Sequence, residues 1–141
     1  MSTNSSITAK CSDGKWRCIY CHWDGYPEHN GRILVKHFNE TSKVDKLMAL
    51  GSLSVLGEKC DAPKGHNFDC PADGVCIAYH RDRGDDLMIG VGNSAQEALE
   101  NNNCGAQEYN YMFDGEKWLV NYEFDDKGAV SVEQFLAEQE K

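Results

Sequence analysis

The sequence predicts an α+β fold, with one domain spanning residues 1–141 and a mainly antiparallel sheet built from hairpins beside about four helices. Three observations lead there. Apolar and aromatic residues alternate at period two around turn signals such as Asp13-Gly14 and Asp114-Gly115. Elsewhere the apolar spacing switches to three and four, bounded by cap residues. No low-complexity linker divides the chain, and 141 residues suffice for one core and hardly for two.

The first hairpin pairs Ile7 to Cys11 with Trp16 to Trp23 across Ser12-Asp13-Gly14-Lys15. In its second strand Trp16, Cys18, Tyr20 and His22 share one face, and Ile19, Cys21 and Trp23 the other. Both faces are apolar enough to predict a strand covered on both sides. After Asp24-Gly25-Tyr26-Pro27, the residues Ile33, Leu34, His37 and Phe38 form a helical stripe. Val44, Leu47 and Met48 form a second, with Ser42 and Asp45 placed as its N-terminal cap and Gly51 placed to end it. Gly57 to Gly74 is rich in Gly, Pro, Asp and Asn and reads as a long loop, a kind of segment that is often functional. Val75, Ile77 and Tyr79, then Leu87, Ile89 and Val91, predict a second hairpin with a charged tip at Arg81 to Asp86. Ser94 and Glu97 make a capping box for a short helix ending at Asn101-Asn102-Asn103. Tyr109, Tyr111 and Phe113 then face Trp118, Val120, Tyr122 and Phe124 in a third hairpin. Ser131 and Gln134 cap a C-terminal helix, with Val130 positioned to staple against Phe135. The shared pattern of Asp13-Gly14-Lys15-Trp16 and Asp114-Gly115-Glu116-Lys117-Trp118 reads as convergent turn usage, because the flanking sequence does not extend it.

Charge narrows the function classes. The chain carries 14 basic and 23 acidic residues, a formal net charge of -9. Direct nucleic-acid binding needs a basic face, and an acidic chain also repels anionic membranes. The charge is polarised: residues 1–60 hold 8 basic and 6 acidic side chains, and residues 61–141 hold 6 basic and 17 acidic. An acidic surface of that density fits a basic partner protein. No basic n-region with an apolar run opens the sequence and no apolar stretch reaches membrane-spanning length, so a cytoplasmic location is expected. The seven cysteines, an odd number, read as reduced thiols rather than a disulfide framework.

Three constellations are candidates for chemistry or binding. Around Cys18-Ile19-Tyr20-Cys21, the residues Cys18, Cys21, Cys60, His66 and Cys70 offer zinc-type ligands. Cys18 and Cys21 fall on opposite faces of an alternating strand, however, and no second two-residue pair follows, so buried thiols are the plainer reading and neither metal nor cofactor is expected. His22, Trp23, Asp24 and Tyr26 lie where a strand leaves for a loop. There His22 with Asp24 could move protons, while the plainer reading makes Trp23 and Tyr26 core anchors and Asp24-Gly25 a turn. Arg81, Asp82 and Arg83 form the third: two arginines at alternate positions can grip an anion, or simply pair with neighbouring acids at a solvated tip. No nucleophile elbow, phosphate loop or metalloprotease helix is present.

The segments Tyr20-Cys21-His22-Trp23-Asp24-Gly25-Tyr26-Pro27 and Tyr79-His80-Arg81-Asp82-Arg83-Gly84 resemble motifs of small uncharacterised proteins of phages, prophages and other mobile elements. The resemblance runs from about Tyr20 to Gly84 and includes Met48-Ala49-Leu50-Gly51-Ser52-Leu53. It implies a context, a host-directed accessory role such as inhibition of a defence or nucleic-acid-processing protein, and no activity. The expectation is therefore a non-enzymatic binding protein acting on a host protein with a basic surface. The alternatives are a small-ligand or nucleotide-binding protein using His22, Asp24, Arg81 and Arg83, and a zinc-stabilised domain.

Overall fold

A computed structural model describes residues 3–102, 107–122 and 128–139. Asn103, Cys104 and Phe124, which figure in the expectations above, lie outside the described residues. The class is α+β: one mixed, mostly antiparallel sheet carries helices on both faces.

The first predicted hairpin forms from β1 (Ser5–Lys10) and β2 (Trp16–Cys21), in register from Ser5 opposite Cys21 to Lys10 opposite Trp16. Its turn closes because Gly14 takes the left-handed conformation at φ 83°. Asp13 accepts the Lys15 N–H at 3.0 Å and holds Arg17 in a two-pronged ion pair at 3.0 and 2.8 Å. A π-helical turn (Pro27–Gly31) opened by proline then runs into α1 (Arg32–His37), and α2 (Thr41–Ala49) follows. The expected cap of α2 is different. Glu40 stands at its N-cap without a side-chain bond, and Asp45 instead accepts the Ser12 N–H at 3.0 Å, tying the helix to the first turn. Gly51 ends the segment at φ 73°, as its position predicts.

The second predicted hairpin does not form. β3 (Leu53–Val55) pairs in parallel with β2 and antiparallel with β4 (Ile77–Ala78). The charged tip is instead a short helix, α3 (Tyr79–Arg83), stopped by left-handed Gly84 at φ 82°. β5 (Gly90–Gly92) pairs with the Trp16 end of β2. α4 (Ala95–Asn101) starts on the predicted cap, with Ser94 Oγ accepting the Glu97 N–H at 3.1 Å. It lies directly on β5, since a Cβ on Gly90 would overlap the Ala98 carbonyl.

β6 (Tyr109–Phe113) and β7 (Trp118–Tyr122) make the third hairpin as expected. It joins the first by parallel pairing of β6 with β1, Ser5 opposite Tyr109. β8 (Val130–Ser131) completes the edge, and α5 (Val132–Gln139) is capped by Ser131 Oγ at 3.1 Å from the Gln134 N–H. The core fills one sheet face, where Ile7, Ile19, Tyr111, Phe113, Trp118 and Val120 meet Leu34, Phe38, Val44, Leu47 and Met48. Trp118 Nε1 donates to the Phe38 carbonyl at 2.8 Å, satisfying the ring's one polar atom in the core. Cys18, Ile19 and Cys21 are all buried, so β2 is covered on both sides. Among the described residues, no helix is long and apolar enough to cross a membrane.

Candidate functional site

The loop after β2 is held by bonds from three separate segments. The His22 and Trp23 N–H groups continue the sheet pairing onto the Leu53 and Ser54 carbonyls, each at 3.0 Å. The chain then turns at Asp24, the one non-glycine residue with positive φ among those described, at 57°. Asp tolerates that region better than most residues, at a cost of about 1 kcal/mol. Gly25 donates to the Thr3 carbonyl at 2.8 Å and accepts from the buried Tyr111 phenol at 2.6 Å. A Cβ at Gly25 would lie 2.8 Å from that same Thr3 oxygen, so only glycine fits the approach. Behind it, fully buried Asn30 donates to Ser5 Oγ at 3.3 Å and to Cys21 Sγ at 3.4 Å, and its Oδ1 pairs with His29 Nδ1 at 2.8 Å.

This framework leaves Trp23 42% and Tyr26 36% exposed, so they are not core anchors. His22 packs edge-on against Trp23, with 4.8 Å between ring centroids. The proposed His22–Asp24 proton-transfer pair is not assembled: Nδ1 of His22 bonds the Tyr20 phenol at 2.6 Å, and Asp24 Oδ1 accepts from the Tyr26 phenol at 3.3 Å. The Asp24 charge, with some desolvation and that bond, raises the Tyr26 phenol above its ordinary pKa. By sheet register the loop shares an end with Tyr109 and Tyr122, whose rings lie 5.1 Å apart, and Tyr122 is also exposed.

The second motif is equally ordered, for a different purpose. Asp82, its side chain 3% exposed, accepts from the Ala78 N–H at 2.8 Å and from Arg81 Nε at 2.9 Å. His66 is oriented by the Ala72 N–H, which donates to its Nδ1 at 2.9 Å, so the proton sits on Nε2, 3.2 Å from Asp82 Oδ2. Arg81 also donates to the Cys60 carbonyl and, at 2.7 Å, to the Cys76 carbonyl. Arg83 pairs with both oxygens of Asp85, at 3.0 and 2.7 Å, and its guanidinium lies over the Phe68 and Tyr79 rings at 4.6 and 4.8 Å. The two arginines therefore do not converge as an anion clamp. They fasten the 57–74 loop to α3, work whose partners local sequence cannot reveal.

The two motifs flank β3, His22 bonded to Leu53 on one side and Tyr79 to Ser52 on the other. No hydrogen bond or ion pair joins His22, Trp23, Asp24 or Tyr26 to Arg81, Asp82 or Arg83. The zinc-type residues are also dispersed. Cys18 Sγ takes the Asn102 amide at 3.2 Å on the α4 face, Cys21 faces the core, His66 lies against Asp82, and Cys70 is exposed. No group of three or more potential ligands converges among the described residues. Burial raises the Cys21 thiol to about 12, which suits a packing role.

Sequence reasoning missed three features: the Tyr111 and Asn30 supports under the loop, the pairing of Cys60 with Cys76, and a cleft of about 260 Å³. That cleft is lined by His37, Lys43, Lys46, Lys59 and Cys60 together with Glu58 and Asp61. Lysines at 43 and 46 share a face of α2, a signal the sequence contains; Lys59 and Cys60 reach it from a loop whose path is not local. Comparison of the chain with protein-family models, with curated proteins and with solved structures finds no match.

Proposed function

We propose that the chain is a non-enzymatic binding protein that docks a basic partner protein through the Trp23–Tyr26 loop. The observation that carries this reading is the exposure of two large aromatics on a loop whose backbone is fixed from Thr3, Leu53, Ser54 and Tyr111. Trp and Tyr dominate binding hot spots, and a preformed loop loses little entropy on docking. Asp24 and the exposed Glu28 ring the aromatics with negative charge, so arginines and lysines of a partner would meet carboxylates and ring faces together. Exposed Glu133 and Glu138 add acidic side chains on α5, which packs against the Pro27–Gly31 turn that follows the loop. The resemblance to mobile-element proteins is what suggests a host protein in the cytoplasm as the partner, with inhibition of a defence or nucleic-acid-processing complex as the sharpest form of the proposal.

The test is affinity purification of wild-type chain and a Trp23→Ala/Tyr26→Ala variant from a bacterial lysate at low salt. A stoichiometric basic partner that is released steeply by salt and bound at least about 30-fold more weakly by the variant supports the reading. More than half of each side chain is still covered, so each truncation should lower stability by about 1–2 kcal/mol, and capture is compared at a temperature where both chains are folded. Absence of any stoichiometric partner, or undiminished capture by the variant, overturns it.

A further inference from the structure

We propose that Cys60 and Cys76 form a reversible dithiol–disulfide site, oxidised by a small anionic disulfide of the glutathione class entering from the lysine-lined cleft. The inference is independent of the docking loop and rests on backbone pairing. The Lys59 N–H donates to the Gly74 carbonyl at 3.0 Å and the Cys76 N–H to the Lys59 carbonyl at 2.9 Å, so Lys59 and Val75 are parallel partners. One residue on, Cys60 stands beside Cys76 at the spacing of neighbouring strands, about 4.8 Å, with both side chains leaving on the same face. Disulfides span Cα separations of about 4.4–6.8 Å, which includes this one.

Arg81 fixes the pair from one side by donating to the carbonyls of both cysteines, a bridge that joins these two backbones specifically. The two thiols are near enough to influence each other's ionisation, and the Cys76 thiol points its hydrogen at the Gly57 carbonyl, 3.5 Å away. Cys76 Sγ also receives the Gly57 N–H at 3.2 Å. The interaction with Cys60, outweighing burial and helped by Gly57 and Arg81, draws the Cys76 thiol below its ordinary pKa, while the interaction with Cys76 and burial raise the Cys60 thiol. Of the two thiols, Cys76 therefore gives up its proton first and Cys60 keeps its own. Cys76 is buried, whereas Cys60 is half-buried and lines the cleft, so an outside reagent meets Cys60 first. Around it, Lys46 is engaged by Asp61 at 3.4 Å and His37 lies 3.7 Å from Glu58, while Lys43 and Lys59 make no ion pair among the described residues. Those two cations favour an anionic reagent.

The chemistry balances in two exchanges. As Cys60 Sγ, the accessible sulfur, attacks one sulfur of the external disulfide, its proton passes to the neighbouring Cys76 thiolate; the external S–S bond breaks and one thiolate leaves, taking up a proton from water. Cys76, losing its own proton to solvent, then attacks Cys60 Sγ and expels the second external thiolate, which is protonated in turn. Two protein thiols are oxidised and one external disulfide is reduced to two thiols. The product staples the ends of the 60–76 segment.

The test uses the full chain in a Cys70→Ser/Cys104→Ser background, which removes the thiol exposed among the described residues and the one outside them. After incubation with oxidised glutathione and alkylation of remaining thiols, peptide mapping should show Cys60 linked to Cys76, with the intact mass lower by two hydrogens. The oxidised form should melt about 10 °C higher, as expected for closing a loop of this length. Replacing Cys76 as well (Cys76→Ser) should trap a stable glutathione adduct on Cys60. Full alkylation of both cysteines after oxidant treatment, a persistent adduct on Cys60 when Cys76 is present, or no adduct in the Cys76→Ser chain would each overturn the proposal.

Discussion

Removing the Asp82 carboxylate by Asp82→Ala tests the assignment of the second motif to scaffolding. One carboxylate, 3% exposed, receives the Ala78 N–H and two guanidinium nitrogens of Arg81, and Nε2 of His66 lies 3.2 Å from it without hydrogen-bond geometry. Its loss strands the Ala78 N–H, removes the carboxylate that faces buried His66 and leaves Arg81 with only the Cys60 and Cys76 carbonyls. Breaking a buried ion pair from one side costs about 3–5 kcal/mol. Arg81 is a quarter exposed and keeps two acceptors, so the low end, about 3 kcal/mol, is expected. The pH dependence has a defined sign. Burial pushes the Asp82 carboxyl up, but its bonds to Arg81 and Ala78, with the nearby His66, together outweigh burial and hold its pKa below the ordinary 3.8. A carboxyl depressed on folding contributes its full stability above its unfolded value and loses it as pH falls through the folded one. Urea unfolding followed by tryptophan fluorescence at pH 7, 5 and 3 should therefore show an equal deficit at pH 7 and 5. The deficit should narrow at pH 3, where wild type begins to lose the same carboxylate. A loss under about 1 kcal/mol at pH 7, or a deficit unchanged at pH 3, would refute the reasoning.

Two further substitutions probe other joints. Gly90→Ala places a methyl against the Ala98 carbonyl and 2.6 Å from the Asn102 nitrogen, so α4 must lift from β5; a loss of about 2–3 kcal/mol in urea unfolding is expected. Because Gly90 does not have positive φ, a neutral result there would mean that α4 does not seat on β5 as described. Tyr111→Phe removes the 2.6 Å bond to the Gly25 carbonyl and leaves that buried acceptor unpaired, at a cost of about 1–3 kcal/mol. It should also weaken partner capture although Tyr111 is buried, and unchanged capture would mean that the phenol does not set the loop's shape.

How far the fold was legible depended on how far apart its partners lie. Asp13-Gly14 and Asp114-Gly115 close their hairpins with bonds two to four residues away, and those hairpins are where alternation and turn chemistry place them. Ser94 and Ser131 cap their helices for the same reason. The parallel seam of β1 with β6 depends on residues such as Ser6 and Asn110, 104 positions apart and bonded at 2.7 Å, and no local pattern encodes it. The middle hairpin failed on this ground. Arg81, Asp82 and Arg83 look like a solvated tip because their charges can be balanced by neighbours, but Arg81 reaches Cys60, 21 residues back, and Asp82 reaches His66. Those contacts make a helix of the segment and leave Ile77–Ala78 to pair with β3.

The loop at Trp23 shows the opposite asymmetry. Its residue types are conspicuous in sequence, yet apolar type alone assigns Trp23 and Tyr26 to the core, where most such side chains belong. Their exposure follows from constraints placed on the backbone between them. Sheet pairing fixes Trp23, Asp24 turns the chain at positive φ, and the Tyr111 phenol with Thr3 holds Gly25, so neither ring can fold back inward. Leaving a large aromatic in water forgoes on the order of 1–2 kcal/mol of burial each, and the strained Asp24 adds about 1 kcal/mol. A loop serving stability alone would relax on both counts, for example with glycine at position 24 and smaller side chains at 23 and 26. The costs are coherent if a second surface recovers them, because strain and exposure in the free protein become affinity when rigid aromatics dock without further ordering. That logic ties the buried Tyr111 and Asn30 to the same function as the exposed rings they support.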